Sequence, residues 1–226
     1  MPRIHDPAFY RELIAMCGRL GAHPLDVLKV MNAESGVDPA AYNPNGGASG
    51  LIQFIPSSLL GVGYTLTPAS FRLTTAEFQL PYVERYFQPW KQYGLGNVNR
   101  VYQAVFLPGT MAYGSDDSTI IAVKGGNLSN AYVANASVDH GNKGYLTVGD
   151  LRYAVEQRCV GPRWEQLQAE LAQETATVMP ATGIVSVDLR QPVKGLIAAA
   201  FVASIGKPVT DLAPDDRDAA LKWLQG

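Results

Sequence analysis

Residues 31–58 read MNAESGVDPAAYNPNGGASGLIQFIPSS. Pro24 opens a helical pattern with Leu25, Leu28 and Met31 on one face, so Glu34-Ser35-Gly36 falls where that helix ends, and Gly36 is its stop. Residues 38–50 are dense in turn formers and predict a loop. The apolar stretch Leu51 to Ile55 follows and is ended by Pro56, after which Ser57 and Ser58 are positioned to cap a short helix. A glutamate at such a boundary has apolar neighbours and the negative end of a helix dipole beside it. Both disfavour the charged form. A carboxylic acid that keeps its proton near neutral pH can protonate a glycosidic oxygen. Spacing alone leaves the plainer reading open, in which Glu34 is an ordinary exposed residue at a helix end.

Outward from this segment, the chain predicts a mostly α domain. Asp6-Pro7 starts a first helix whose apolar positions Phe9, Leu13, Ile14, Met16, Cys17 and Leu20 recur up to Gly21. Thr74-Thr75-Ala76-Glu77 fits a capping box, with a helix to about Tyr93 that turns Phe78, Val83, Phe87 and Trp90 inward. A further helix covers 97–106 and stops before Pro108-Gly109. Residues 109–146 are irregular except for a strand at Ile120 to Val123. Thr147 with Asp150 caps a helix to about Cys159, and a last helix spans 163–173. The expected organisation is therefore one mostly α domain at 1–173, a linker at 174–191 rich in Thr, Ala, Pro and Gly, and a small helical docking extension at 192–226. The extension contains the very apolar stretch PVKGLIAAAFVASI.

Composition narrows the function classes. The 226 residues carry 18 basic and 20 acidic groups, a net charge of −2, so a nucleic-acid partner is not expected. Hydrophobic residues make up 47%, enough for a sizeable core. Two cysteines, Cys17 and Cys159, exclude a disulfide scaffold and read as buried free thiols rather than a pair. Met1 to Pro7 holds no signal core, and no run reaches the length of a membrane span. The expectation is synthesis in a cytoplasm, with delivery to any outside site left to other components. His5, His23 and His140 show no metal-ligand spacing, 46–50 lacks the lysine of a phosphate loop, and no G-x-S-x-G elbow occurs. No metal and no cofactor is expected.

The order Glu34-Ser35-Gly36, Asp38-Pro39, Gly50-Leu51-Ile52-Gln53 and Phe54-Ile55-Pro56 resembles the catalytic core of soluble lytic transglycosylases and goose-type lysozymes. Thr75 to Pro89 resembles the corresponding helix of phage-borne relatives, and the likeness covers about residues 8–160. The resemblance implies a lysozyme-like fold of the soluble-transglycosylase type and a phage-borne enzyme that cleaves the β-1,4 bond between N-acetylmuramic acid and N-acetylglucosamine in peptidoglycan glycan strands. Glu34 would act first as acid and then as base toward the substrate's own 6-hydroxyl, giving a 1,6-anhydro product, with hydrolysis as the alternative outcome. Ser35, Gly50, Gln53, Phe54, Phe106 and Tyr132 are the expected substrate-binding residues, and 192–226 the expected attachment to other virion proteins. Tyr132 is included as one of four loop aromatics, with Tyr42, Tyr64 and Tyr113, that could stack on sugars, although each reads more readily as packing.

Two departures stand out. Where the family often has A-Y-N-A-G or A-Y-N-G-G, this chain has Val105-Phe106-Leu107-Pro108-Gly109, which lacks a hydroxyl and an amide. That change motivates an alternative reading, a structural virion component whose lysozyme-like domain is a weak or vestigial glycan binder. Residues 139–150, DHGNKGYLTVGD, resemble an EF-hand loop, but Gly141 and Lys143 stand where oxygen ligands are required, so a loop held by hydrogen bonds without an ion is expected. Asp38 reads as a turn residue, Glu77 as a capping partner and Glu84 as a solvated face residue. Asp116 and Asp117 are minor candidates to approach the cleft.

Overall fold

Asp6 accepts a hydrogen bond from the Ala8 amide at 2.8 Å and starts helix α1 (Pro7–Leu20), which Gly21 ends in the left-handed conformation. Pro24 begins α2 (Pro24–Ser35), which Gly36 terminates at φ +67°. Both helices thus follow their local signals, a first-turn proline and a glycine at the end. The computed structural model describes residues 2–178. The expected linker from 179 on and the extension at 192–226 lie outside the described residues.

After α2 comes a small hairpin of β1 (Tyr42–Asn43) and β2 (Ala48–Ser49), then α3 (Pro56–Gly61), α4 (Pro68–Phe71) and α5 (Ala76–Phe87). A 3-10 segment, Gln88–Tyr93, extends α5. Next are α6 (Val98–Phe106), β3 (Ile120–Val123), α7 (Ser129–Ala134), β4 (Tyr145–Thr147), α8 (Val148–Arg158) and α9 (Pro162–Val178). The described residues are mostly helical. α1 packs on α5 and α9, while α2 packs on α6 and α8. Phe9, Leu13, Met16, Leu28, Met31, Leu51 and Val101 fill the shared core. Among the described residues no helix is long and apolar enough to cross a membrane. Cys17 and Cys159 are free, the first buried and the second half-buried.

Four sequence expectations need correction. Phe78 is 48% exposed, not inward. The buried face of α5 is set by Ala76, Leu80, Val83 and Phe87, and Phe78 falls off that stripe. The capping residue is Thr75, which accepts from the Phe78 amide, while Thr74 donates to the Phe71 carbonyl. The last helix does not stop at 173 but continues to Val178. Glu174 is buried and pairs with Arg3 at 2.8 Å, a partner 171 residues away that no local pattern could reveal. Finally, the region expected to be irregular contains β4, which pairs antiparallel with β3, and the short helix α7.

The 139–150 loop is closed by a side chain of its own. Asp139 accepts from the Lys143 and Gly144 amides at 3.0 and 2.8 Å. The Lys143 ammonium lies 2.6 Å from Asp150 and 3.5 Å from Asp139, bringing a positive charge to both carboxylates. Asp150 also closes a capping box with Thr147 at the start of α8.

Candidate active site

Glu34 sits in the last turn of α2 and borders a cavity of about 310 Å³. Asn43 from the hairpin, Ile52 and Gln53 from the following turn, Phe106 from α6 and Arg158 from the end of α8 line the same space. Burial pushes the Glu34 pKa up; the Tyr102 hydroxyl, which hydrogen-bonds the carboxyl, and the Arg158 charge pull the other way without reversing the shift. The carboxyl acts back on its neighbours. Tyr86 is pushed up to about 12, first by burial and then by the Glu34 charge. Tyr102 is raised by the same causes and by its hydrogen bond to Glu34.

A tight turn places Gln53. Ser49 and Phe54 exchange two backbone hydrogen bonds of 2.9 Å, so residues 50–53 form the loop between them. Gly50 and Gln53 take positive φ of +76° and +53° to close it. The turn leaves Gln53 half-buried, with its amide nitrogen donating to the Gly50 carbonyl at 3.0 Å. Its side chain therefore faces the Glu34 cavity rather than the core. Val37, fully buried, is also held at φ +58°, an uncommon state for a β-branched residue, directly after the helix stop.

Of the residues expected to bind substrate, the structure brings Gln53 and Phe106 to the cavity beside Glu34. Ser35 lies one step behind: its hydroxyl reaches the carbonyls of Leu51 and Met31, so it positions the turn. Gly50, Phe54 and Tyr132 are corrections. Gly50 faces inward, and a side-chain carbon on it would lie 2.5 Å from Gln79 Oε1 and 2.8 Å from Phe71. Phe54 is 2% exposed and packs edge-on against Phe71 and Tyr86. Tyr132, on α7, is buried and donates to Asp139 at 2.9 Å, bracing the 139–150 loop. Gly50 and Phe54 belong to the motif beside Glu34 and Tyr132 reads in the sequence as a loop aromatic, but packing turns all three away from the cavity.

Among the minor candidates, Asp38 accepts from the Ala40 amide and is a turn residue. Glu84 is not a solvated face residue; it is held by Arg19 at 2.8 Å. Asp117 is occupied by Arg152 and Asn99. Tyr64 is buried beside Phe71 and Tyr82. Tyr42 remains half-exposed with the Arg72 guanidinium over its ring.

Sequence reasoning missed four residues. Tyr102 lies one helical turn before Phe106, and their rings are 5.6 Å apart, so the i, i+4 spacing was a usable signal. Gln79, fully buried, accepts from the Leu51 amide at 3.1 Å and donates to the carbonyls of Pro39 and Phe71. It joins both ends of the loop that follows Glu34. Arg158 and Asn43 had no sequence signal, since only the packing of α8 and the hairpin on α2 brings them in. Among the described residues no group of three His, Cys, Asp or Glu side chains could hold a metal ion. No family model, curated protein or solved structure matches this chain.

Proposed function

We propose that the protein cleaves peptidoglycan at the β-1,4 bond between N-acetylmuramic acid and N-acetylglucosamine. The observation that carries the reading is a single raised-pKa carboxyl, Glu34, in a cavity whose described lining holds no second carboxylate. Such a group can protonate the leaving glycosidic oxygen as the bond to C1 breaks. Without a partner carboxylate to act as nucleophile or to activate water, the same group is the available base. Glu34, now ionised, takes the proton from the muramyl 6-hydroxyl as that oxygen bonds to C1. The products are a free 4-hydroxyl and a 1,6-anhydro end, no water is consumed, and Glu34 is again protonated. Tyr102 supplies the hydroxyl that steadies the intermediate carboxylate. Delivery on a phage particle belongs to the same proposal, on the strength of the sequence resemblance, and detection of the chain in purified virions tests it.

A gel assay on purified cell walls, with native protein and Glu34→Gln, tests the activity. Clearing by the native chain, reduced at least about 10²–10⁴-fold in the variant, is expected for loss of a general acid. A variant keeping more than about a tenth of the activity rules out Glu34 as that acid. Product mass separates the routes, since the anhydro product is lighter than the hydrolytic one by one water. Absence of clearing at any loading favours the vestigial glycan-binding module.

A further inference from the structure

Arg158 ends α8 and sends its guanidinium across to α2, where Nη1 donates to the Ala33 carbonyl. A guanidinium carries five N–H donors, and no other acceptor for them occurs among the described residues. Nor does Arg158 form an ion pair there, whereas Arg3, Arg19 and Arg152 each hold a carboxylate at 2.6–2.8 Å. Its remaining donors belong to a group that lines the Glu34 cavity. When Glu34 is protonated, as its role as acid requires, this cationic fork has no counter-charge in the cavity. The other polar groups of the lining, the Asn43 and Gln53 amides, are neutral and suit acetamido groups. A guanidinium suits a carboxylate, which it can grip with two parallel hydrogen bonds.

We infer that Arg158 is a specificity-determining residue that receives a carboxylate from the muramyl branch of the wall polymer, an inference that rests on the glycan-cleaving reading above. Every second sugar of that polymer carries a lactyl ether, which ends in a carboxylate or continues into a peptide bearing its own. The intervening N-acetylglucosamine carries none. A fixed guanidinium beside Glu34 therefore distinguishes the two sugars and sets which of the two alternating bonds lies over the acid. The competing explanation is purely structural: Arg158 caps the last carbonyls of α2, where a cation is favourable in any case.

The two are separated by binding measurements on the full chain carrying Glu34→Gln, which leaves the strands intact, with and without Arg158→Gln. The probes are peptide-bearing glycan strands, strands stripped of peptide by an amidase, and chitotetraose. Both anionic probes are expected to bind roughly tenfold tighter than chitotetraose, an advantage that Arg158→Gln removes while leaving chitotetraose unchanged. A preference for one anionic probe over the other identifies the stem-peptide or the lactyl carboxylate as the source. Equal weakening of all three probes makes Arg158 a structural cap and overturns the inference, as does an undiminished preference or no binding of any probe. A native chain that fails to clear walls while this Arg158-dependent preference persists removes the activity and keeps the site. Cleavage by the native chain with no such preference does the reverse.

Discussion

The Ser35 hydroxyl lies 2.9 Å from the Leu51 carbonyl and 3.0 Å from that of Met31. Its one proton is shared between the helix that carries Glu34 and the turn that carries Gln53. The chain thus leaves α2, runs through the hairpin and returns to α2 at Leu51, 16 residues after Ser35.

Ser35→Ala should lower stability by about 1–2 kcal/mol, the range for losing one hydrogen bond and leaving a partly buried carbonyl short of a donor. Wall cleavage should fall more than this loss explains, because the turn holding Gln53 is released from α2. Chemical denaturation together with rates measured well below the melting point checks both. Equal activity at equal folded fraction would show that the tie does not position the site.

Glu34 must start protonated, so activity should be level at low pH and decline as pH rises through its elevated pKa. Tyr102 favours the ionised form by hydrogen bonding, hence its removal raises the Glu34 pKa further. The decline in Tyr102→Phe should move to higher pH, with a lower plateau because the carboxylate of the second step has lost a donor. A pH–rate profile of both proteins is the measurement, and a shift to lower pH contradicts the assignment.

The parts of this fold legible in the sequence are those whose causes are local. Asp6-Pro7 and Gly21 bound α1, Pro24 and Gly36 bound α2, and Thr147 with Asp150 starts α8, because caps act over three or four residues. Phe78 lies outside because the 76, 80, 83, 87 stripe already fills the buried face of α5, and aromatic character alone does not set the side of a helix. The site divides in the same way. Glu34 and Gln53 lie on one continuous segment and could be placed beside each other. Arg158 and Tyr102 come from α8 and α6, which meet α2 only through tertiary packing. Proximity in the motif says nothing of which way a side chain points in the four-residue turn that Gly50 opens, or beyond it at Phe54.

Gly50→Ala tests the packing role. Its φ of +76° already disfavours a side chain, and the added carbon would lie 2.5 Å from Gln79 Oε1 and 2.8 Å from Phe71. Gln79 cannot retreat without giving up the Leu51 amide and the Pro39 carbonyl. A destabilisation of about 2–3 kcal/mol is expected from combined strain and overpacking. A melting temperature within a degree or so of native would mean that the loop moves freely and that Gln79 does not fix it.

The last prediction concerns the N-terminal anchor. Glu170 on α9 is 6% exposed and accepts from the Tyr10 hydroxyl at 2.7 Å, the Gln166 amide at 2.8 Å and the Ile4 amide at 2.9 Å. Burial by itself raises a carboxyl pKa, but these donors outweigh it and the Glu170 pKa is lowered. A folded pKa below the unfolded one, about 4.3 for glutamate, means that the folded state binds the proton less well. The stabilisation is therefore fully present above the unfolded value and is lost as pH falls through the lowered folded value. Glu170→Gln keeps the shape but removes the charge and turns one acceptor into a donor facing other donors. It should cost about 1.5–3 kcal/mol at neutral pH, the range for hydrogen bonds to a charged group, and less as the pH falls below 4. Denaturant midpoints at pH 7 and pH 3 provide the comparison. A variant whose deficit is the same at both would show that the carboxylate charge contributes nothing to holding the chain around Ile4 against α9.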